Sequence, residues 1–189
     1  MNTPASFIQS LDHDIHVIDT GFVSDLFDAS HLIVSNGRAA FVDTGTNYSV
    51  PRLVKALEIL GLPRASLDYV ILTHVHLDHA GGAGLLMQQL PEAKLVVHPR
   101  GARHMIDPTA LMEGVRAVYG REIADRDYGE LVPVAEHRVI GTSDGMTLDL
   151  QGRPLLQPLQ ALIMKEQHGK LTQPEKRNEA YPRCNAVRL

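Results

Sequence analysis

Between residues 13 and 97 the apolar and polar positions form short extended segments separated by turn residues, with one clear change of period. In HDIHVIDTG (13–21), Ile15 and Val17 alternate with polar neighbours before Ile18 and a Thr-Gly stop, the period of two expected of a half-buried strand. HLIVSNG (31–37) and AAFVDTG (39–45) flank the pair Asn36-Gly37, the strongest short hairpin signal. Val50, Leu53, Val54, Leu57 and Leu60 then recur at helical spacing, with Pro51 suited to the first turn and Gly61 to the end. LDYVILT (67–73) and AKLVVHP (93–99) are continuous apolar runs rich in β-branched residues, which predict buried strands. Between them AGGAGLLMQQL (80–90) predicts a helix that begins near Ala80 and ends before Pro91.

Strand, helix and strand in alternation predict an α/β layered architecture. Residues 100–119 read as helix broken at Pro108, and residues 131–157 return to short strands with turns at Ser143–Gly145 and Gly152. From there the pattern changes. Leu155, Leu156, Leu159, Leu162 and Ile163 have roughly helical spacing, with Pro158 able to start a helix. The charge balance reverses as well: residues 1–164 carry 12 Lys and Arg against 19 Asp and Glu, residues 165–189 carry 6 against 3. The expected organisation is a main domain over 1–157, followed by an atypical short helix and a basic, disordered tail over 158–189.

Composition narrows the function classes. A chain of 189 residues with 44% hydrophobic and 21% charged residues suits one globular domain. The net charge of −4 gives no basic field, so no nucleic acid is expected as a partner. No apolar run reaches membrane-spanning length and no leader pattern opens the chain, so no membrane is expected either. Cys184 is the only cysteine, which excludes an internal disulfide and makes a cytoplasmic location the expectation.

The chemistry concentrates in LTHVHLDHAGG (72–82). If the strand ends near Thr73, His74 and His76 lie two residues apart in extended chain and project to the same side. Asp78 and His79 follow as the chain turns into the next helix. Imidazole nitrogens and a carboxylate converging there suit Zn²⁺, with Mn²⁺ or Fe as alternatives. Gly81 and Gly82 would let the backbone approach the site closely. A single histidine at a strand end is usually a satisfied polar residue; four such groups in His-x-His-x-Asp-His, between a buried strand and a glycine-rich helix start, point to metal ligation.

THVHLDHAGG resembles the metal motif of the metallo-β-lactamase superfamily, and AAFVDTG is similar to its second hairpin strand ending in Asp-Thr-Gly. The resemblance covers about residues 13–157 and implies an αββα sandwich with a dinuclear site at one edge, here with the N-terminal half intact and the second half incomplete. By that resemblance His74 and His76 help bind the first metal ion, and Asp78 and His79 the second. Asp78 would also assist catalysis by proton transfer, and Asp43 would lie beneath the site, supporting the metal loop by hydrogen bonds. The implied function is a metal-dependent hydrolase that uses a zinc-bound hydroxide on an ester, thioester, lactone or amide bond of a small molecule. The alternative is a catalytically crippled chain with weak or no metal binding.

The chain departs from the family pattern after about residue 155. A later Gly-His turn is expected around RPLLQPLQALIM (153–164) and is missing; His168 is the only histidine after His137, and no Asp follows Asp149. A truncated or foreign C-terminus is one expectation from this, and a second copy covering an incomplete sheet is another. His98 is expected to be structural rather than a ligand, His104 and Arg103 to face solvent or substrate, and His13, His16, His31 and His137 to carry no chemistry.

Overall fold

The computed structural model describes residues 7–156. Four strands form an antiparallel meander: β1 (Ile8–Leu11), β2 (Ile15–Asp19), β3 (Ala29–Ser35) and β4 (Arg38–Val42). Asn36 and Gly37 join β3 to β4 with φ of 47° and 79°. These are the two left-handed positions a two-residue hairpin needs for its twist to match that of its strands.

Three parallel strands extend the sheet beside β4: β5 (Leu67–Ile71), β6 (Lys94–Val97) and β7 (Val139–Gly141), in the spatial order β1 to β7. Parallel neighbours need crossover connections, and helices supply them. α1 (Val50–Ile59) links β4 to β5; α2 (Leu77–Ala80) and α3 (Ala83–Gln89) link β5 to β6; α4 (Pro99–Ile106), α5 (Thr109–Tyr119) and α6 (Arg121–Tyr128) link β6 to β7. The main core lies between this helical layer and the sheet, where Leu53, Leu57, Leu86 and Met105 pack on Leu32, Phe41, Val70 and Leu95. No helix among the described residues is long and apolar enough to cross a membrane.

The opposite face of the sheet carries a second core. Ala40, Ile71 and Val96 pack there against Leu148 and Leu150 of a separate antiparallel pair, β8 (Thr147–Leu150) and β9 (Arg153–Leu156). Helices, large sheet and small sheet are thus three layers of an α/β sandwich, as the sequence predicts, with a two-stranded second sheet among the described residues.

Three expectations need correction. The helical spacing beginning at Leu155 does not describe Leu155 and Leu156, which lie in β9; tertiary pairing overrides the periodicity. A turn with Gln151 at φ 50° and Gly152 at φ 83° returns the chain onto β8. Arg153 then fastens it by donating to the carbonyls of His13 (2.6 Å) and Val34 (3.2 Å). β5 stops at Ile71 rather than near Thr73, and the next helix starts at Leu77 rather than near Ala80. The expected short helix and basic tail, with His168, lie outside the described residues. Residues 120–130, which the pattern left unassigned, form α6 and the loop after it.

Arg138 ties the crossover to the sheet. Its guanidinium donates to the carbonyls of Met87, Leu90 and Ala93, the last at 2.7 Å, so it closes the exposed end of α3 and the turn into β6. Charge-assisted bonds to otherwise unpaired carbonyls are among the stronger ones. Arg138→Ala is therefore expected to destabilise the fold by about 2–3 kcal/mol, measured as a lower urea midpoint at unchanged slope.

Candidate metal centre

The carboxyl ends of β4, β5 and β6 lie side by side, and in open α/β sheets this edge is where ligands bind. The turn after β4 supplies the first group. Asp43 is buried and has φ of 58°, a left-handed conformation that aspartate tolerates better than most residues. Its backbone is held on both sides: the amide donates to the Ile71 carbonyl at 2.8 Å, and its carbonyl accepts from the Ser30 hydroxyl at 2.8 Å.

The Asp43 carboxylate points into the loop after β5 and is fully employed there. Oδ1 accepts from the Thr73 amide at 2.9 Å, and Oδ2 accepts from the Thr73 hydroxyl at 2.7 Å and lies 3.0 Å from His79 Nδ1. A carboxylate only accepts, so His79 presents its proton at Nδ1 and turns Nε2 the other way. Thr73 repeats the logic. Its single hydroxyl hydrogen goes to Asp43, so the 2.9 Å contact with His74 Nδ1 is a bond donated by that imidazole, which leaves Nε2 of His74 as an acceptor too.

The imidazoles converge. The His74 ring centroid lies 4.7 Å from that of His76 in an edge-on arrangement and 4.3 Å from that of His79. Asp78 sits in the same short helix as His79, with Oδ2 3.7 Å from His79 Nε2. The motif places His74, His76, Asp78 and His79 along one edge of the sheet, but among the described residues His76 and Asp78 do not join the group whose ligand atoms all lie within reach of one another. One ligand atom each from Asp43, His74 and His79 lies within 4.8 Å of the others. With three hydrogen bonds already on its oxygens, Asp43 serves as the orienting acceptor. A carboxylate behind a histidine in this way fixes ring orientation and tautomer and raises the basicity of the ligating nitrogen.

The glycine pair has a packing role beside the site. A Cβ on Gly81 would stand 2.4 Å from the Leu77 carbonyl and 3.4 Å from Thr46 Cα, and one on Gly82 2.6 Å from the Thr46 carbonyl. Gly81 thus clears the preceding helical turn and Gly82 lets the chain dock on the Asp43–Thr46 turn, and Thr44 clasps it by donating its amide (2.7 Å) and hydroxyl (2.9 Å) to the His79 carbonyl.

Electrostatics separates the histidines. Burial, then the nearby His79 and His76, holds His74 below the ordinary imidazole value. For His79 burial is again the largest influence and acts downward, but the hydrogen bond and charge of Asp43, with Asp78 and Asp28 behind it, outweigh it and leave the value raised. Asp28, just before β3, is a residue the sequence reading missed. Burial pushes its carboxyl up, against a 2.8 Å bond from the Thr20 hydroxyl and the charge of His79. No local motif marks Asp28, and Thr73 and Ser30 likewise become part of the site only through folding. His98 accepts from the Arg100 amide at 3.1 Å as the cap of α4, the structural role expected of it.

Comparison with known proteins shows the family and the fold. The family profile of the metallo-β-lactamase superfamily matches residues 23–153. The anti-Pycsar protein Apyc1 of Paenibacillus xerothermodurans is 36% identical over 70 residues, 36% of this chain and 26% of that protein. Metallo-β-lactamase domain-containing protein 1 of Xenopus laevis is 32% identical over 87 residues, 43% of this chain and 37% of that one. The match thus spans 26% and 37% of the length of these relatives. Among solved structures, a point variant of the metallo-β-lactamase FEZ-1 from Legionella gormanii superposes with a TM-score of 0.60 at 20% identity, covering 84% of this chain and 54% of that one. The metallo-β-lactamase SMB-1 gives 0.58 at 18% identity, covering 78% and 50%. At these identities the likeness is one of fold.

The opposed shifts set a pH dependence for the metal-free protein. His79 is raised above 6.5, so its pairing with Asp43 stabilises fully below about pH 6.5 and fades as pH rises through the folded value. His74 is lowered from 6.5, so keeping it neutral costs the fold increasingly as pH falls below that point. Imidazole NMR titrations should place His79 above and His74 below 6.5, and Asp43→Asn should bring His79 down. A wild-type His79 titrating at or below 6.5 would contradict the assignment.

Proposed function

The chain belongs to the metallo-β-lactamase superfamily, and on that premise we propose that it is a metal-dependent hydrolase whose ligands include His74, His76, Asp78 and His79. One observation carries the reading: Asp43 and Thr73 hold the Nδ1 atoms of His79 and His74, which leaves Nε2 of both neighbouring rings as acceptors, with His76 packed on His74 and Asp78 Oδ2 3.7 Å from His79 Nε2. Three imidazoles and a carboxylate fit zinc, with Mn²⁺ or Fe as alternatives. A divalent ion held by them supplies Lewis acidity, polarising the scissile bond and acidifying water at neutral pH.

The chain's own groups do the rest. His74, kept neutral by burial, offers a lone pair without first losing a proton. Asp43 balances the positive charge gathered around His79. Asp78 lies beside His79 Nε2 with about a third of its side chain exposed, so it can orient a water molecule or take its proton and pass it to the leaving group. The reaction class is hydrolysis of an ester, thioester, lactone or amide of a small molecule. The fold hosts many chemistries, so the substrate is left to the assay.

A second reading is a chain of the same fold with weak or no metal binding. Its support is that the described residues hold a single cluster of three or more potential ligands within reach of one another, whereas a two-metal site asks for more.

A panel of ester, thioester, lactone and amide substrates separates the two, with a phosphodiester added because the same Lewis-acid chemistry serves phosphoryl centres. The hydrolase gives turnover that a chelator abolishes and zinc restores, and His76→Ala or Asp78→Ala lowers it by about 10²-fold or more. Elemental analysis of the purified protein finds zinc that the His76→Ala variant loses. No turnover with any metal, and the same trace metal in both proteins, would leave the second reading.

A further inference from the structure

We propose that Gly101 is a positioning residue for the metal loop, acting through Val75, and this rests on the metal-centre reading above. Val75 lies between His74 and His76 and is half-buried against the main core. Beneath it runs the first turn of α4, which His98 caps directly after β6. The meeting point is Gly101. It is buried, and a Cβ there would stand 2.7 Å from Val75 Cγ1 and 2.9 Å from Val97 Cγ2. Nothing in its backbone asks for glycine: its φ is not left-handed, and alanine is the better helix former. Space is the constraint that glycine meets.

The two valines are not equally able to yield. Both are stiff at χ1. Val97 is 1% exposed at the end of β6, within the main core. Val75 is in a loop, so an added methyl on residue 101 displaces Val75 and with it the backbone of the two flanking histidines. Metal–imidazole distances tolerate only about 0.2 Å. The absence of one Cβ in α4 thus sets where His74 and His76 stand, on an element that supplies no ligand of the motif.

A double-mutant cycle on the full chain tests this, with two readouts: zinc affinity by competition with a chromophoric chelator, and the imidazole resonances of His74 and His76 in the metal-free protein. Gly101→Ala is expected to weaken zinc binding roughly tenfold or more and to shift both resonances. Val75→Ala, which leaves a gap, should weaken binding several-fold. In the double variant the alanine methyl occupies the space the valine gave up, so affinity and resonances return close to wild type. Thermal unfolding identifies any variant that loses the fold itself.

Unchanged resonances and affinity in Gly101→Ala would overturn the proposal, as would a double variant no better than the worse single one. If Gly101→Ala does not fold, Val75→Ala decides, and wild-type affinity and resonances there would overturn it. If the wild type takes up no zinc, the metal-centre reading falls, and the metal-free resonances alone decide whether Gly101 positions the two histidines.

Discussion

The carboxylate of Asp43 is the interaction on which the rest of the site depends. It sits at the end of β4 in a left-handed conformation and accepts from the Thr73 amide, the Thr73 hydroxyl and His79 Nδ1. Holding that backbone conformation costs about 1–2 kcal/mol, and the bonds formed on either side of it offset the cost. In return one side chain joins the end of β4, the loop after β5 and helix α2. Without it the Thr73 hydroxyl loses its acceptor, and the protons on His74 and His79 lose the reason for their placement.

This arrangement explains why two histidines 4.3 Å apart between ring centroids behave oppositely. Both are pulled toward neutrality by burial. Only His79 is hydrogen-bonded to a carboxylate, and that bond reverses the direction. The metal-free cluster therefore holds one imidazole disposed to keep a proton and one disposed to lose it. A metal ion, which needs the lone pairs of both, competes with protons mainly at His79.

The layers around the site divide the work. The parallel strands β4, β5 and β6 are buried on both faces and set the spacing of their carboxyl ends. The helical layer presses on them from one side and β8–β9 from the other. Small residues appear where layers must approach closely: Gly82 against the Thr46 carbonyl, Gly101 against Val75, and Gly84 against the Val132 carbonyl. Local chain preference explains none of them; close approach explains all.

Much was legible in the sequence because it depends on neighbours along the chain. Alternating Ile15 and Val17, the Asn36-Gly37 turn, the helical repeat from Val50 and the apolar runs of β5 and β6 each carry their structure in a few adjacent residues. His74, His76, Asp78 and His79 are close in space because they are close in sequence, so spacing alone found them. Two kinds of fact needed the tertiary structure. One is the role of Thr73, Ser30 and Asp28, whose partners lie across strands and whose types are ordinary at the ends of strands. The other is any conflict between local pattern and pairing, as at Leu155 and Leu156. There a helical repeat yields to the ladder with β8, because paired backbone groups and the packing of Leu155 on the second core outweigh a weak local preference. The sequence by itself determined which candidate ligand groups lie together. The fold decided which way their nitrogens face, because a proton's place on an imidazole depends on partners contributed by another strand.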